Sequence, residues 1–194
     1  MRSKKKFIDA LFVIVVACLA ALILLFGVPV ARRMLYPVRY EETVLSLSER
    51  YSLDPLLVYA VIKTESNFNE RAQSAAGAKG LMQVTDATAA YIAEARKVDR
   101  YDLFSAQDNL EFGCWYLRYL FDRFSDERTA LAAYNAGEGT VREWLGDPAV
   151  SEDGASLDSV PYRETAEYLE KIARNYEKYK KYYPQLLDKK DEMR

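Results

Sequence analysis

Glu65 is the residue whose setting most clearly suits it for chemistry. It follows an almost uninterrupted apolar segment that runs from Leu56 to Ile62 after the helix-start pair Asp54-Pro55. A helix that is apolar on nearly all sides is buried, and burial raises the pKa of a carboxyl group because it disfavours the charged form. Such a carboxyl can serve as a general acid at neutral pH. For a lone glutamate, a solvated position at a helix end is the more common alternative.

A glycine-rich segment follows this glutamate closely. Residues 74–80 read Ser-Ala-Ala-Gly-Ala-Lys-Gly, and Leu81, Met82 and Gln83 come next. Small residues and glycines let the backbone pass close to a ligand. An ordinary surface loop is the simpler interpretation of the glycines taken alone.

The residues that the chain lacks restrict its chemistry. The sequence contains no histidine, which excludes Ser-His-Asp and Cys-His catalysis and every histidine-ligated metal site. Its two cysteines, Cys18 and Cys114, stand in segments too different to predict a disulfide or a thiolate metal cluster. A net charge of −2 with no basic stripe gives no indication of nucleic-acid binding. Acid–base catalysis therefore depends on carboxyl groups, lysines or tyrosines. No metal or cofactor is predicted.

Three motifs, in chain order, carry a family resemblance. The first joins residues 65–68, Glu-Ser-Asn-Phe, to residues 77–83, Gly-Ala-Lys-Gly-Leu-Met-Gln; the second is Ala-Ala-Tyr-Asn-Ala-Gly at 132–137; the third is Pro-Tyr-Arg-Glu-Thr at 161–165, with Tyr168. Together they resemble the signature of the soluble lytic transglycosylases, a lysozyme-like family that cleaves peptidoglycan, over roughly residues 44–183.

The resemblance implies a role for individual residues. Glu65 is expected to be the catalytic acid. Five residues are expected to line the glycan groove: Ser74, Gln83, Tyr134, Glu164 and Tyr168. Thr85 departs from the family pattern, since many relatives carry a larger apolar residue there against the sugar.

The mechanism follows in part from the residues and in part from the resemblance. Glycoside cleavage needs an acid for the leaving oxygen and a group that stabilises the oxocarbenium-like centre, usually a second carboxylate. Glu70, Glu138 and Glu164 are candidates for that carboxylate, with no spacing to choose between them. The resemblance implies instead that the substrate's N-acetyl group attacks the anomeric carbon and that 1,6-anhydromuramic acid ends form.

Three functions compete on these observations. We favour a lytic transglycosylase that cleaves the MurNAc-GlcNAc β-1,4 bond during cell-wall remodelling. The second is a lysozyme-like muramidase, a hydrolase on the same scaffold. The third is an inactive peptidoglycan-binding scaffold, against which Glu65 and Gln83 argue because a pure binder has no need of a buried acid.

The elements that must position these residues are predicted to be helices throughout. Apolar side chains recur at helical spacing after Glu41, Asp54, Asp86, Asp108, Asp126 and Pro161, and no segment alternates convincingly as a strand. In the segment after Asp108, Cys114, Trp115, Tyr116 and Tyr119 are expected to be core residues of a buried helix. The predicted fold class is all-α, a lysozyme-like helical domain preceded by a single transmembrane helix.

The N-terminal region is interpreted as a membrane anchor. An apolar run of about 20 residues, long enough to span a bilayer, follows Arg2, Lys4, Lys5 and Lys6. Val15-Val16-Ala17-Cys18 resembles a lipoprotein processing box, but the run continues past Cys18, which favours an uncleaved anchor. Basic residues flank both ends, so charge alone favours a cytoplasmic N-terminus only slightly.

The predicted organisation has five parts: a basic cytoplasmic tail (1–9), a transmembrane anchor (10–31), a linker with a helix-breaking Pro37 (32–42), the catalytic domain (43–187) and a polar tail (188–194). The expected location is the cell membrane, with a single span and the catalytic domain outside the cytoplasm. Glycan strands of peptidoglycan and the membrane are the expected partners, with any cell-wall or secretion machinery left open.

Overall fold

The structure, a computed structural model, describes residues 2–187. The predicted polar tail at 188–194 lies outside the described residues. The chain divides into two units, one up to Val38 and one from Arg39 onward.

The first unit is helical. It comprises α1 (Arg2–Leu22), a π-helical turn (Ile23–Gly27) and α2 (Val28–Leu35). Pro29 sits in the first turn of α2, and because proline has no N–H, the wider turn before it accommodates the missing helical hydrogen bond. Within this unit, Phe12–Leu35 is long and apolar enough to cross a membrane. The helix ends two residues before Pro37, so helical backbone continues into the predicted linker.

The second unit consists of helices joined by short loops. They are α3 (Glu41–Arg50), α4 (Pro55–Glu65), α5 (Asp86–Arg96), α6 (Ala106–Arg123), α7 (Glu127–Ala136), α8 (Glu138–Leu145) and α9 (Arg163–Tyr182). Among residues 2–187 the only extended pairings are isolated bridges from Lys79 to Gln73 and to Val84. The prediction of an all-α fold is confirmed.

Helix α4 lies at the centre of this unit. The Asp54 carboxylate caps it by accepting a hydrogen bond from the Leu56 backbone N–H at 2.8 Å, and Pro55 occupies its first turn. Every residue from Pro55 to Ile62 is buried. The long helix α9 packs along α4, where the rings of Tyr59 and Tyr179 stack with centroids 5.5 Å apart. The burial of α4 predicted from its composition is therefore present.

One helix start lies earlier than the sequence pattern indicates. Helix α6 begins at Ala106 with Ser105 as its cap, because the Ser105 hydroxyl accepts from the Asp108 N–H at 3.4 Å. Helix α5 begins at Asp86, as the pattern indicates, and is capped by Thr85, whose hydroxyl accepts from the Thr88 N–H at 3.1 Å. Thr85, the position of the departure from the family pattern, thus has a local structural role.

The aromatic residues of α6 are not core residues as a group. Cys114 is fully buried, as expected. Trp115, Tyr116 and Tyr119 are only partly buried, so that prediction was wrong for all three. They lie on a side of α6 that faces Tyr91 of α5, whereas Gly113 and Cys114 face Met82.

Candidate active site

Glu65 is the last residue of α4, at the end of its buried apolar segment. Its side chain is partly buried. Burial raises the pKa of the Glu65 carboxyl to about 7, although a hydrogen bond from Tyr168 opposes the rise. A carboxyl with this pKa holds a proton in a large fraction of molecules at neutral pH and can donate it.

Tyr168 brings α9 to this carboxyl. Its buried hydroxyl donates a hydrogen bond to Glu65 Oε1 at 2.8 Å. The start of α9 is fixed one turn earlier, where the Thr165 hydroxyl donates to Asn135 Oδ1 at 2.8 Å. This bond joins the second motif (132–137) directly to the third (161–165). The third motif also reaches Glu65, which belongs to the first motif, through Tyr168.

Tyr134 lies near the same carboxyl but is held by a different partner. Its hydroxyl donates to the backbone carbonyl of Met82 at 2.9 Å. Burial, followed by the negative charge of Glu65, raises the pKa of Tyr134 well above its usual value, and the same two causes act on Tyr168. Both phenols therefore remain protonated donors beside Glu65. The Tyr134 hydroxyl secures the glycine-rich loop in this structure.

The end of α4 is tied to that loop as well. The Ser66 hydroxyl donates to the carbonyls of Leu81 at 2.8 Å and Ile62 at 3.2 Å. Immediately afterwards, Asn67 and Phe68 both adopt left-handed backbone conformations, with φ of 51° and 64°. Two consecutive residues in this region cost conformational energy, so the surrounding structure must hold them.

Asn109 on α6 holds the glycine-rich loop in place through hydrogen bonds. This residue was not identified from the sequence alone. It is fully buried; its Oδ1 accepts from the Met82 N–H at 2.7 Å, and its Nδ2 donates to the carbonyls of Lys79 at 2.8 Å and Leu103 at 2.9 Å. Because both the oxygen and the nitrogen of this buried amide have hydrogen-bond partners, the position requires an asparagine. An asparagine in the first turn of a predicted apolar helix was the available signal.

Two glycines allow this close packing. A Cβ on Gly80, whose φ is +75°, would lie 2.3 Å from both Asn109 Nδ2 and the Leu103 carbonyl oxygen. A Cβ on Gly113 would lie 2.4 Å from the Met82 sulfur. The glycines at these positions bring loop backbone against α6, so Gly80 serves internal packing.

Gln83 and Ser74, expected to line the groove, both bond to loop backbone. Gln83 Nε2 donates to the carbonyls of Gly80 at 2.9 Å and Ala72 at 3.2 Å. Ser74 is exposed, and its hydroxyl accepts from the Ala78 N–H at 3.0 Å. These bonds shape the loop and leave the roles of both residues toward a glycan as predictions.

The three carboxylates considered as a second catalytic group are engaged elsewhere or exposed. Glu70 accepts a hydrogen bond from Tyr40. Glu138 pairs with Arg142 at 2.8 Å. Glu164 is exposed in the first turn of α9, one turn before Tyr168. Glu65 is therefore the carboxyl around which the three motifs converge.

Comparison with known proteins places these features in context. The family model of the transglycosylase SLT domain matches residues 42–155. The soluble lytic murein transglycosylase of Salmonella typhimurium is 30% identical over 162 residues, which are 80% of this chain and 24% of that protein. The membrane-bound lytic murein transglycosylase F of Desulfosudis oleivorans is 39% identical over 112 residues, 54% of this chain and 23% of that protein.

A solved structure agrees with these matches. The crystal structure of the 70 kDa soluble lytic transglycosylase of Escherichia coli superposes with a TM-score of 0.68 and 29% identity, covering 76% of this chain and 25% of that one. The chain thus spans about a quarter of the length of these relatives.

Proposed function

The chain belongs to the transglycosylase SLT family, and from this premise we propose that it is a peptidoglycan lytic transglycosylase with Glu65 as its acid and base. One observation carries the proposal: a carboxyl at the end of a buried helix, with its pKa raised to about 7, accepts a hydrogen bond from Tyr168. Ser74, Gln83, Tyr134, Glu164 and Tyr168 line the proposed glycan groove.

The proposed reaction uses this one carboxyl twice. Protonated Glu65 gives its proton to the glycosidic oxygen between MurNAc and GlcNAc while the C1–O bond breaks, and the N-acetyl oxygen of MurNAc bonds to C1. The Glu65 carboxylate then takes the proton of the 6-hydroxyl, whose oxygen attacks C1 and displaces the N-acetyl oxygen. The product carries a 1,6-anhydro end, no water is consumed, and Glu65 regains its proton.

The surroundings of Glu65 support this route over one that uses two carboxylates. Glu70 and Glu138 have hydrogen-bond partners of their own, and Glu164 is exposed. The Tyr168 hydroxyl stabilises the carboxylate that forms after the first proton transfer, which suits a group that must act next as a base.

A membrane location is supported by the first unit. It contains one helix long and apolar enough to cross a bilayer, and some relatives are named membrane-bound transglycosylases. We propose that residues 10–31 form a single-pass anchor, that residues 1–9 are cytoplasmic, and that residues 43–187 form a catalytic domain outside the cytoplasm, where peptidoglycan lies.

The test is to identify the products. The full chain in detergent is incubated with purified sacculi, and the released muropeptides are analysed by mass spectrometry. We expect 1,6-anhydro ends, which weigh one water less than reducing ends. The Glu65→Gln variant is the control, because its side-chain amide cannot act as the acid. Reducing ends would show a muramidase, and equal release by the variant would remove Glu65 from catalysis.

A further inference from the structure

A groove with a cavity of about 400 Å³ lies between α7 and α9 in the second unit. We call it the α7–α9 groove. None of Glu65, Tyr134 and Tyr168 lines it, so it is separate from the proposed catalytic residues. Its floor and walls are mostly apolar and include Leu57 of α4, Leu131 of α7, and Ala166, Leu169, Ala173 and Tyr176 of α9.

The α9 wall has the dimensions of a helix-binding trough. Ala166, Leu169, Ala173 and Tyr176 follow one another at intervals of three or four residues and therefore share one face of α9. At 1.5 Å per residue this face is about 15 Å long, which matches about three turns of a second helix. Ala173 is exposed and Ala166 is partly exposed. Because both side chains are small, the backbone of another helix can approach closely at these two positions.

Carboxylates gather at the end of the groove that holds Tyr176. The Tyr176 hydroxyl donates a hydrogen bond to Asp54 Oδ2 at 2.7 Å, and Glu127 lines the groove beside it. Partial burial, followed by the negative charges of Asp54 and Asp126, raises the pKa of Glu127. The three carboxylates are thus close enough to repel one another.

No cation neutralises this cluster. Among residues 2–187, Asp54, Asp126 and Glu127 form no ion pair with a lysine or arginine. Arg128 lines the groove, but its guanidinium donates to a backbone carbonyl at 2.7 Å. The lining residues include three glutamates and this one arginine. The groove therefore presents net negative charge beside an apolar trough, which is complementary to a basic partner.

We propose that the α7–α9 groove docks an amphipathic, basic helix of a partner protein. Apolar side chains of that helix, spaced three or four residues apart, fill the trough along Ala166 and Ala173, the usual way in which a helix binds a groove. A lysine or arginine at one end of the helix pairs with Glu127 and neutralises the repulsion from Asp54 and Asp126. Docking requires no chemistry at Glu65, so the inference is independent of the proposed reaction.

The first test uses a synthetic probe, a fluorescent helix of about three turns with leucines on one face and lysines on the other. Its binding to the full chain in nonionic detergent is measured by fluorescence anisotropy at low salt. The reference probe carries glutamate in place of every lysine, and we expect it to bind at least ~10-fold more weakly, because like charges repel across an interface.

Two variants of the chain locate the binding. Ala173→Gln places a larger polar side chain in the trough, and we expect the Kd of the lysine probe to rise about fivefold or more. Glu127→Gln removes one carboxylate at a partly exposed position, and we expect a rise of about threefold. The matched controls are Ala95→Gln on α5 and Glu143→Gln on α8, both at exposed helical positions.

The controls are expected to bind the probe as the parent chain does, and they share any binding of the probe to detergent. Equal binding of the two probes, or no difference between a groove variant and its control, overturns the proposal. Sedimentation of the parent chain checks another occupant. A dimer that Ala173→Gln converts to a monomer would place a second copy of this chain in the groove, and that result also overturns the proposal.

The second test identifies the natural occupant. A photocrosslinking side chain replaces Glu170 at the edge of the groove in cells that carry this chain, and mass spectrometry gives the sequence of the crosslinked segment. We expect a segment with apolar residues at helical spacing and with lysine or arginine on its other face, and we expect Ala173→Gln to abolish the crosslink. An acidic segment, a segment of this chain itself, or the absence of a crosslink contradicts the inference.

Discussion

The Tyr168 hydroxyl and Glu65 Oε1 are joined by a hydrogen bond of 2.8 Å across 103 residues of sequence. The bond connects the end of the buried helix α4 with the second turn of α9. It also opposes the effect of burial on the pKa of Glu65, because a donor to a carboxylate favours its charged form. The balance of these two effects sets the proton affinity of the proposed catalytic group.

Tyr168→Phe tests this balance. Without the hydroxyl the Glu65 carboxylate is less stabilised, so its pKa rises above about 7. An acid with a higher pKa keeps its proton to higher pH, and we expect the alkaline decline of kcat/KM to move upward in pH. A pH profile of glycan cleavage measures the shift; a decline at the same pH as in the parent chain contradicts the assignment. The variant's rate also falls if the second step needs a stabilised carboxylate.

Glu65→Gln is expected to lower glycan cleavage by at least ~10²-fold, the low end for general acid–base catalysis, with the fold intact. Its stability makes a second, independent test. Because the folded-state pKa of Glu65 is raised from 4.5 to about 7, the neutral carboxyl favours folding below pH 4.5, and this contribution is lost as the pH rises through 7.

Glutamine remains neutral throughout this range. Thermal unfolding in detergent should therefore show the variant gaining stability relative to the parent chain between about pH 4.5 and pH 7, with little difference below pH 4.5. A difference that does not change with pH would mean that Glu65 is ordinarily solvated.

Tyr134→Phe removes the donor to the Met82 carbonyl. We expect the free energy of unfolding to fall by about 1 kcal/mol, the usual contribution of one hydrogen bond. Since that bond fixes the loop beside Glu65, turnover per folded molecule should fall as well. Tyr101→Phe, at an exposed ring on Phe112, is the control. A variant that melts early but cleaves normally would place Tyr134 in the framework alone.

Gly80→Ala tests the packing of the loop on α6. The added Cβ meets Asn109 and the Leu103 carbonyl at 2.3 Å, at a φ of +75° that alanine rarely adopts. We expect a loss of about 3 kcal/mol or more in stability. Gly139→Ala is the matched control, because nothing lies within 4 Å of its Cβ and alanine favours helix α8. Equal stability of the two variants would show that the loop can move away from Asn109.

The proposed topology predicts the outcome of protease treatment. Protease added to intact protoplasts should digest the unit from Arg39 onward and spare a tag placed before Ala10, because only the former is outside. A protected unit refutes this orientation. A mature chain that begins at an acylated Cys18 would instead identify a lipoprotein.

The sequence alone determined the helices and the identity of the proposed acid, because both depend on residues that lie close together in the chain. Asp54-Pro55 marks the start of α4, and the apolar run after it requires burial, since no face of such a helix is polar enough for water. The raised pKa of Glu65 follows from that burial. The three motifs could be identified for a similar reason, because each lies within a short stretch of the chain.

What only the tertiary structure decided is how these segments meet. Asn109 looks like any polar residue in a helix until Lys79, Met82 and Leu103 surround it, and the Tyr134 hydroxyl finds its partner 52 residues away. The exposure of Trp115, Tyr116 and Tyr119 was likewise invisible to periodicity. A repeat at helical spacing shows which side chains share a face of the helix. Whether another helix covers that face depends on packing between segments that are distant in sequence.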